Sequence, residues 1–210
     1  MITVPRLDHG VIGNGRVLAL VSPTSAIEWL CLPRFDSPSV FARILDTNRG
    51  GTFRVLPDGE ERAGSLAYVT NTNVLRTVLT TADGAVEVLD FAPRRPHGLA
   101  VEAPLAVVRL VRPLYGQPRV AFDFDPRPDY ARAAAQCVPR GGGLEVLGGP
   151  TPLHLATNLP VAYLESRHVV TVRRPLYFVL SVSPPSTDLA TVEHDLAATI
   201  AGWRAWSKTC

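Results

Sequence analysis

Acidic residues form the pattern in this sequence that comes closest to a reactive site. Asp123, Asp125 and Asp129 are the densest acidic group, and neighbouring carboxylates can act as general acid and base or bind calcium. No Asp-x-Asp-x-Asp-Gly loop surrounds them. Asp123 and Asp125 share the outer face of a predicted strand, because side chains alternate between the two faces. We therefore expect ordinary solvated charge rather than a catalytic or calcium site.

The other reactive side chains lack the spacing that their chemistry requires. The histidines form neither an H-x-x-x-H nor an H-E-x-x-H pair, and Cys31 lies in an apolar stretch without a neighbouring base. Ser22, Ser37 and Ser181 are not part of a G-x-S-x-G turn. The three glycines at 141–143 lack the lysine of a phosphate loop. We predict no metal site, no cofactor and no catalytic residue in this chain.

The segment Trp29–Pro38 remains a candidate for recognition. It places Arg34, Phe35 and Asp36 in a loop between two prolines. Aromatic rings stack on sugars and charged groups bind their hydroxyls, so this loop has the ingredients of an oligosaccharide contact. The structural alternative is that Arg34 pairs with Asp36, Ser37 caps a helix and Phe35 packs inside. The residues leave both interpretations open.

Composition favours one globular unit that does not bind nucleic acid. The chain has 210 residues, 46% of them hydrophobic, and a formal net charge of +2. This is enough apolar sequence for a sizeable core, and no Ser/Gly-rich tract divides it. Basic residues are scattered among acidic ones, so no surface for nucleic acid is predicted.

The expected compartment is the cytoplasm. No apolar run approaches the roughly 18 residues that suggest a membrane span, and residues 1–10 contain charges and a proline where a signal peptide would be apolar. Cys31, Cys137 and Cys210 are an odd set without C-x-x-C spacing, which suggests neither a disulfide framework nor a zinc site. We expect a soluble, unexported protein without a membrane partner.

Strand signals dominate the sequence. Prolines and glycines interrupt it at short intervals, and the segments between them are rich in Val, Leu, Phe and Thr. The clearest unit is a hairpin in which 74–81 and 85–91 flank Ala82-Asp83-Gly84, since glycine adopts a positive φ at little cost. Runs such as 105–111 and 176–182 are apolar on both faces. The predicted fold is an all-β antiparallel sandwich of two packed sheets.

Two helices are predicted within this fold. A short one near 38–46 begins with Ser37 as N-cap and Pro38 in the first turn. A longer one near 190–207 carries an apolar stripe: Val192, Leu196, Ile200, Trp203 and, three residues on, Trp206. We divide the chain into a sandwich domain, 1–187, and a terminal helix, 188–210. Trp203 and Trp206 need a surface to cover them, so we expect an interface there.

A longer stretch of the sequence resembles a known family. The sequences GVIGNGR at 10–16 and IEWLCLPRFDSP at 27–38 closely resemble the opening of the glucoamylase and trehalase-like enzymes of glycoside hydrolase family 15. The resemblance continues to WRAW at 203–206. Two positions depart from the family pattern. Asn14 stands where an aspartate is common, and TSAIE at 24–28 replaces Asp-Gly-Ser-Ile-Asp, so the turn between the strands could be built differently.

The resemblance implies a supersandwich-like β domain, a linker helix and an (α/α)6 barrel that carries two catalytic glutamates. This chain ends near the linker, so the resemblance implies that the barrel is its partner and that the chain alone is inactive. Trp29, Arg34, Phe35 and Asp36 then contact either the barrel or the sugar at the rim of its active site.

Two classes of function are therefore open. The first is a supporting domain of an α-glucosidase, glucoamylase or trehalase, which stabilises the barrel and lends it a loop. The second is a free-standing carbohydrate-binding or protein-interaction module. Sheet edges and exposed tryptophans also lead us to expect self-association.

Overall fold

The computed structural model describes residues 8–59, 63–98, 100–132 and 135–208. The expectations for residues 1–7 and for Cys210 lie outside the described residues. Within these ranges the chain forms two large sheets, a two-stranded ribbon and three helices. All strand pairs given below are antiparallel.

Seven strands form the first sheet: β1 (Gly10–Gly13), β2 (Leu18–Val21), β3 (Ala26–Cys31), β4 (Ser39–Phe41), β5 (Thr52–Pro57), β12 (Arg119–Asp125) and β16 (Val170–Thr171). They lie in the order β1-β2-β3-β5-β12-β16, with β4 paired to β3.

Eight strands form the second sheet: β6 (Ser65–Tyr68), β7 (Leu75–Thr81), β8 (Gly84–Phe91), β11 (Ala106–Gly116), β13 (Gln136–Arg140), β14 (Gly143–Leu147), β15 (Leu153–Thr157) and β17 (Leu176–Ser181). Their order is β13-β14-β15-β17-β11-β8-β7-β6. β9 (Arg95–His97) and β10 (Ala100–Glu102) form the ribbon, and the helices are α1 (Pro128–Ala131), α2 (Val161–Glu165) and α3 (Leu189–Ser207).

The central strands of the second sheet are buried on both faces, as the apolar runs predicted. In β11, Val107 and Val111 belong to the core between the sheets. Val108 and Leu110 lie in a second cluster on the opposite face. Because strand side chains alternate, such a strand must be covered on both sides. One cover is the first sheet, which confirms the predicted sandwich.

Aromatic rings fill the space between the two sheets. Phe178 of β17 contacts Phe53 and Phe122 of the first sheet at ring-centroid distances of 5.2 and 4.6 Å. All three rings are shielded from solvent. Edge and tilted contacts of this kind add to the free energy gained from burial alone.

Helix α3 is the second cover. Its first turn is capped by the Asp188 carboxylate, which accepts a hydrogen bond from the Thr191 amide at 2.8 Å. Val192 and Leu196 pack on the outer cluster of the second sheet. The predicted helix near 190–207 is therefore confirmed, and Val192, Leu196 and Ile200 of its apolar stripe pack on the second sheet.

The hairpin is also confirmed, whereas the short helix was placed wrongly. Thr81 pairs with Gly84, so Ala82 and Asp83 connect β7 to β8, and Gly84, which was expected in the turn, is the first residue of β8. The segment 38–46 is not helical: it holds strand β4, followed by turns. Ser39 of β4 pairs with Cys31, and this pairing with β3 supersedes the local helix signals of Ser37 and Pro38. No helix in the described part of the chain is long and apolar enough to span a membrane.

Candidate functional site

Four separate segments of the chain meet around an open groove of about 550 Å³. We call it the aromatic groove. Its lining residues are Val11, Gly13, Gly15, Arg16, Val17 and Leu18 around the β1–β2 turn, Phe35 after β3, Asn71, Thr72 and Asn73 before β7, and Trp203, Trp206 and Ser207 at the end of α3. Three predicted site residues from distant parts of the sequence thus share one surface.

Large apolar side chains in the aromatic groove are open to solvent. Phe35 is 67% exposed and Trp206 is 52% exposed, and Val11 and Leu18 are exposed at 37% and 39%. A soluble protein rarely leaves such a group of apolar side chains uncovered unless the surface receives a partner.

Asn14 fixes the turn that forms one wall. Its Oδ1 accepts hydrogen bonds from the amides of Arg16 and Val17 at 3.0 and 3.1 Å. Its Nδ2 donates to the carbonyls of Pro93 and Pro104, both at 2.9 Å. A carboxylate could not donate the last two bonds. The amide explains why asparagine suits this position, where the resembled family commonly has aspartate.

The loop after β3 presents Phe35 at its tip. Arg34 and Asp36 form a two-point ion pair, with Nε–Oδ1 at 2.8 Å and Nη2–Oδ2 at 3.1 Å. The Ser37 hydroxyl accepts from the Arg34 amide at 3.2 Å. The hydrogen bond from Arg34 lowers the pKa of the Asp36 carboxyl below its usual value. The local pairing proposed from the sequence is present, whereas Phe35 points outward and does not pack inside.

The middle of α3 is tied to the start of the β9–β10 ribbon. Asp195 pairs with Arg95 through both oxygens at 2.5 and 2.6 Å. The Thr199 hydroxyl accepts from the Arg94 amide at 3.0 Å. Beyond this anchor, Trp203 and Trp206 meet edge to face with ring centroids 5.6 Å apart. Both rings therefore lie on the part of the helix that follows the anchor.

The turn before β7 completes the groove and covers the edge of β1. The Asn73 side chain accepts from the Gly13 amide at 2.5 Å and donates to the Val11 carbonyl at 2.8 Å. The Tyr68 hydroxyl accepts from the Val11 amide at 2.7 Å and donates to its carbonyl at 2.9 Å. Side chains thus replace a neighbouring strand, so this edge is not free to add one.

Arg34 and Trp29 lie outside the aromatic groove. Arg34 lines a smaller adjoining hollow that shares Arg16 and Phe35 with it. The Trp29 ring packs on Tyr130 with centroids 6.3 Å apart, and neither residue lines the groove. The sequence candidates therefore separate into two places.

The acidic group is engaged in ion pairs. Asp123 was expected to be solvated, which is wrong: its side chain is 4% exposed. It lies 2.6 Å from Arg54 and 2.7 Å from Arg167. Asp125 pairs with Arg127 at 2.8 Å. Within the described residues, no group of three or more His, Cys, Asp or Glu side chains could hold a metal ion.

The aromatic groove is suited to binding and not to acid–base chemistry. None of its described lining residues is acidic or a histidine. Sequence patterns identified Phe35, Trp203 and Trp206, but not Val11, Leu18 or the turn at 71–73. The missed residues carry no chemical signal of their own, and only the fold brings them beside the tryptophans.

Comparison with known proteins gives a consistent result. The family described as "Trehalase-like, N-terminal" matches residues 3–163. The trehalase of Mycobacterium tuberculosis is 27% identical over 96% of this chain and 34% of its own length. The trehalase of Thermoplasma volcanium is 35% identical over 59% of this chain and 20% of its own. Trehalase 1 of Sulfolobus acidocaldarius is 43% identical over 40% of this chain and 14% of its own.

No solved structure matches the chain significantly. The chain spans about a third or less of the length of the curated relatives named above. The family match covers most of the sandwich, from before β1 to α2. The chain therefore belongs to the trehalase-like N-terminal family.

Proposed function

We propose that this chain is the non-catalytic N-terminal domain of an α-glucoside hydrolase of glycoside hydrolase family 15, with trehalose as the favoured substrate. The named relatives are all trehalases, which supports trehalose over the maltose-type substrates of glucoamylases. The domain packs against an (α/α)6 catalytic barrel that supplies the acid and base. The cytoplasm is the proposed compartment, which the unpaired Cys31 and Cys137 support.

The aromatic groove carries this proposal. Phe35 and Trp206 expose their rings beside the half-buried Trp203, and large aromatic side chains commonly anchor protein interfaces. We propose that the barrel covers this surface, with α3 leading towards it. The ion-paired loop with Arg34, Phe35 and Asp36 then reaches the rim of the substrate cleft.

A second function is favoured by a separate observation. Trp29 and Tyr130 form an aromatic pair in which Trp29 is half-buried and Tyr130 is 42% exposed, and the Arg132 guanidinium lies 5.8 Å from the Tyr130 ring centroid. Aromatic rings beside hydrogen-bond donors are the components of a sugar-binding surface. The alternative function is thus a carbohydrate-binding module. Self-association through the aromatic groove is the competing use of this surface, and sedimentation of the isolated chain tests it.

Activity measurements separate these functions. We expect the chain alone to hydrolyse neither trehalose, maltose nor a nitrophenyl α-glucoside. A chimera, in which the chain replaces the matching third of the M. tuberculosis trehalase, should hydrolyse trehalose. The same trehalase without that third should lose activity or stability. Turnover by the chain alone, or full activity and stability of the shortened enzyme, would contradict the proposal. Titration of the chain with trehalose or maltooligosaccharides tests the alternative.

A further inference from the structure

Three arginines surround the aromatic groove. Arg16 lines it directly. The guanidinium of Arg94 lies over the ring of Trp203, 4.7 Å from its centroid. Arg204 donates from Nε to the Thr70 carbonyl at 3.3 Å, next to the lining turn at 71–73. We call Arg16, Arg94 and Arg204 the basic rim.

The basic rim lacks carboxylate partners among the described residues. Within the described part of the chain, the Arg16 guanidinium reaches only the Ala103 carbonyl, at 3.4 Å. Other arginines next to α3 are paired with acids. Arg95 pairs with Asp195 and Glu102, and Arg112 pairs with Glu193. The carboxylate nearest to Phe35 in sequence, Asp36, is already occupied by Arg34.

An apolar partner alone would be a poor occupant for this surface. Covering Phe35 and Trp206 would remove water from the neighbouring guanidinium groups, and an unpaired charge is costly to desolvate. Carboxylates on the partner would offset that cost, because a guanidinium binds a carboxylate at two points. The occupant should therefore combine an apolar face with acidic side chains.

We propose that the aromatic groove receives an amphipathic segment of the catalytic barrel, whose apolar face packs on Phe35 and Trp206 and whose Asp or Glu side chains pair with Arg16, Arg94 and Arg204. This proposal rests on the proposed function and specifies the chemistry of the partner. Charge complementarity of this kind sets the orientation and specificity of docking.

The same charges argue against a second copy as the occupant. A two-fold pairing would place the same patch of both copies face to face. The basic rims would then approach each other, and like charges across an interface are unfavourable. The groove is therefore better matched to an acidic partner than to itself.

Hydrogen exchange in the chimera tests the proposal. The amides of the loops at 33–37 and 70–73 should exchange at least about tenfold more slowly in the chimera than in the isolated chain, because docking covers them. The double variant Arg16→Glu with Arg204→Glu should abolish most of this slowing, while leaving the unfolding midpoint of the isolated chain nearly unchanged. Arg16→Lys with Arg204→Lys should retain part of it.

Arg173→Glu is the matched control, because Arg173 is exposed and does not line the groove. It should leave the slowing intact. Raising the salt concentration should weaken the slowing for the unmodified chimera more than for the double variant. If hydrogen exchange in the two loops stays slow in the Arg16→Glu, Arg204→Glu chimera, the partner is not acidic, although docking itself would stand.

Two other experimental outcomes would have different consequences. A chimera with no slowing in either loop would contradict the proposed function as well as the acidic partner. A chain that forms dimers in sedimentation experiments, and loses them with Phe35→Ser and Trp206→Ser, would make a second copy the occupant and overturn the proposal.

Discussion

Arg109 of β11 and Asp90 of β8 form a two-point ion pair inside the protein. Arg109 donates from Nε and Nη2 to the two carboxylate oxygens at 2.8 and 3.1 Å, and the two side chains are 1% and 0% exposed. The remaining nitrogen, Nη1, donates to the Phe53 carbonyl of β5 at 2.7 Å. The pair therefore links the second sheet to the first.

Replacing one partner of this pair should be strongly destabilising. Arg109→Met leaves the Asp90 carboxylate buried without its partner, so we expect a loss of about 3–5 kcal/mol in the free energy of unfolding. Adding Asp90→Val should recover part of the loss, because both charges are then replaced by apolar groups. Urea unfolding of the single and double variants measures both. A single variant that loses less than about 1 kcal/mol would show that Asp90 finds another partner or water.

Ser25→Gly should make the protein more stable. Ser25 has φ 59° and is fully buried, and its hydroxyl has no hydrogen-bond partner among the residues that the structure describes. It stands where the resembled family has glycine, which adopts this backbone conformation without steric cost. We expect the free energy of unfolding, measured with urea, to rise by roughly 0.5–1 kcal/mol. This net gain already includes the cost of the greater freedom of glycine in the unfolded chain. Asn71→Gly is the control: Asn71 has φ 58°, but asparagine tolerates it, so the gain should be smaller.

Gly84→Val should disrupt the β7–β8 hairpin. A Cβ on Gly84 would lie 2.2 Å from the Tyr115 carbonyl oxygen of the neighbouring strand, and its φ is 156°. We expect a loss of at least about 1–3 kcal/mol. Ala82→Val, in the exposed part of the same turn, should change stability little. Equal unfolding midpoints for the two variants would mean that β11 can move away from the hairpin.

The sequence predicts the sandwich better than it predicts the groove. The apolar runs of β11 and β17 and the Asp-Gly signal of the β7–β8 hairpin are local signals, so both sheets and one hairpin follow from them. The short helix near 38–46 was wrong because pairing of Ser39 with Cys31 depends on residues that local propensity ignores. Phe35 and Trp206 were identified separately. Their shared surface depends on how α3 crosses the second sheet, which no spacing rule supplies.

Cys31 should make the fold sensitive to alkaline pH. Burial, and to a lesser degree the Asp36 charge, raises the pKa of the Cys31 thiol from 9.0 to about 11. The unfolded chain therefore loses this proton at lower pH than the folded chain, so the thiol's contribution is present below pH 9 and is lost as pH rises towards 11. Between pH 8 and 10 the loss should be about 1 kcal/mol. Cys31→Ala should show a correspondingly weaker decline of urea stability over that range, and equal declines would contradict the assigned pKa.

The two tryptophans of the aromatic groove should respond differently to replacement. Trp206→Ser should leave the unfolding midpoint of the isolated chain nearly unchanged, because this side chain is 52% exposed. Trp203→Ser should lower the free energy of unfolding by about 2 kcal/mol or more, since the Trp203 ring is half-buried beneath Arg94. Circular dichroism during urea unfolding measures both. A Trp206→Ser chain that unfolds as easily as the Trp203→Ser chain would place Trp206 in the domain's own core.

Docking of the aromatic groove on the catalytic barrel is tested most directly by Phe35→Ser with Trp206→Ser in the chimera. The measurement is hydrogen exchange of the loops at 33–37 and 70–73, followed beside trehalose hydrolysis. Loss of an interface anchor typically costs about 2 kcal/mol or more, so exchange in these loops should return to the rate of the isolated chain while the core strands stay protected. Slow exchange that persists in both loops of the double variant would contradict docking through this groove.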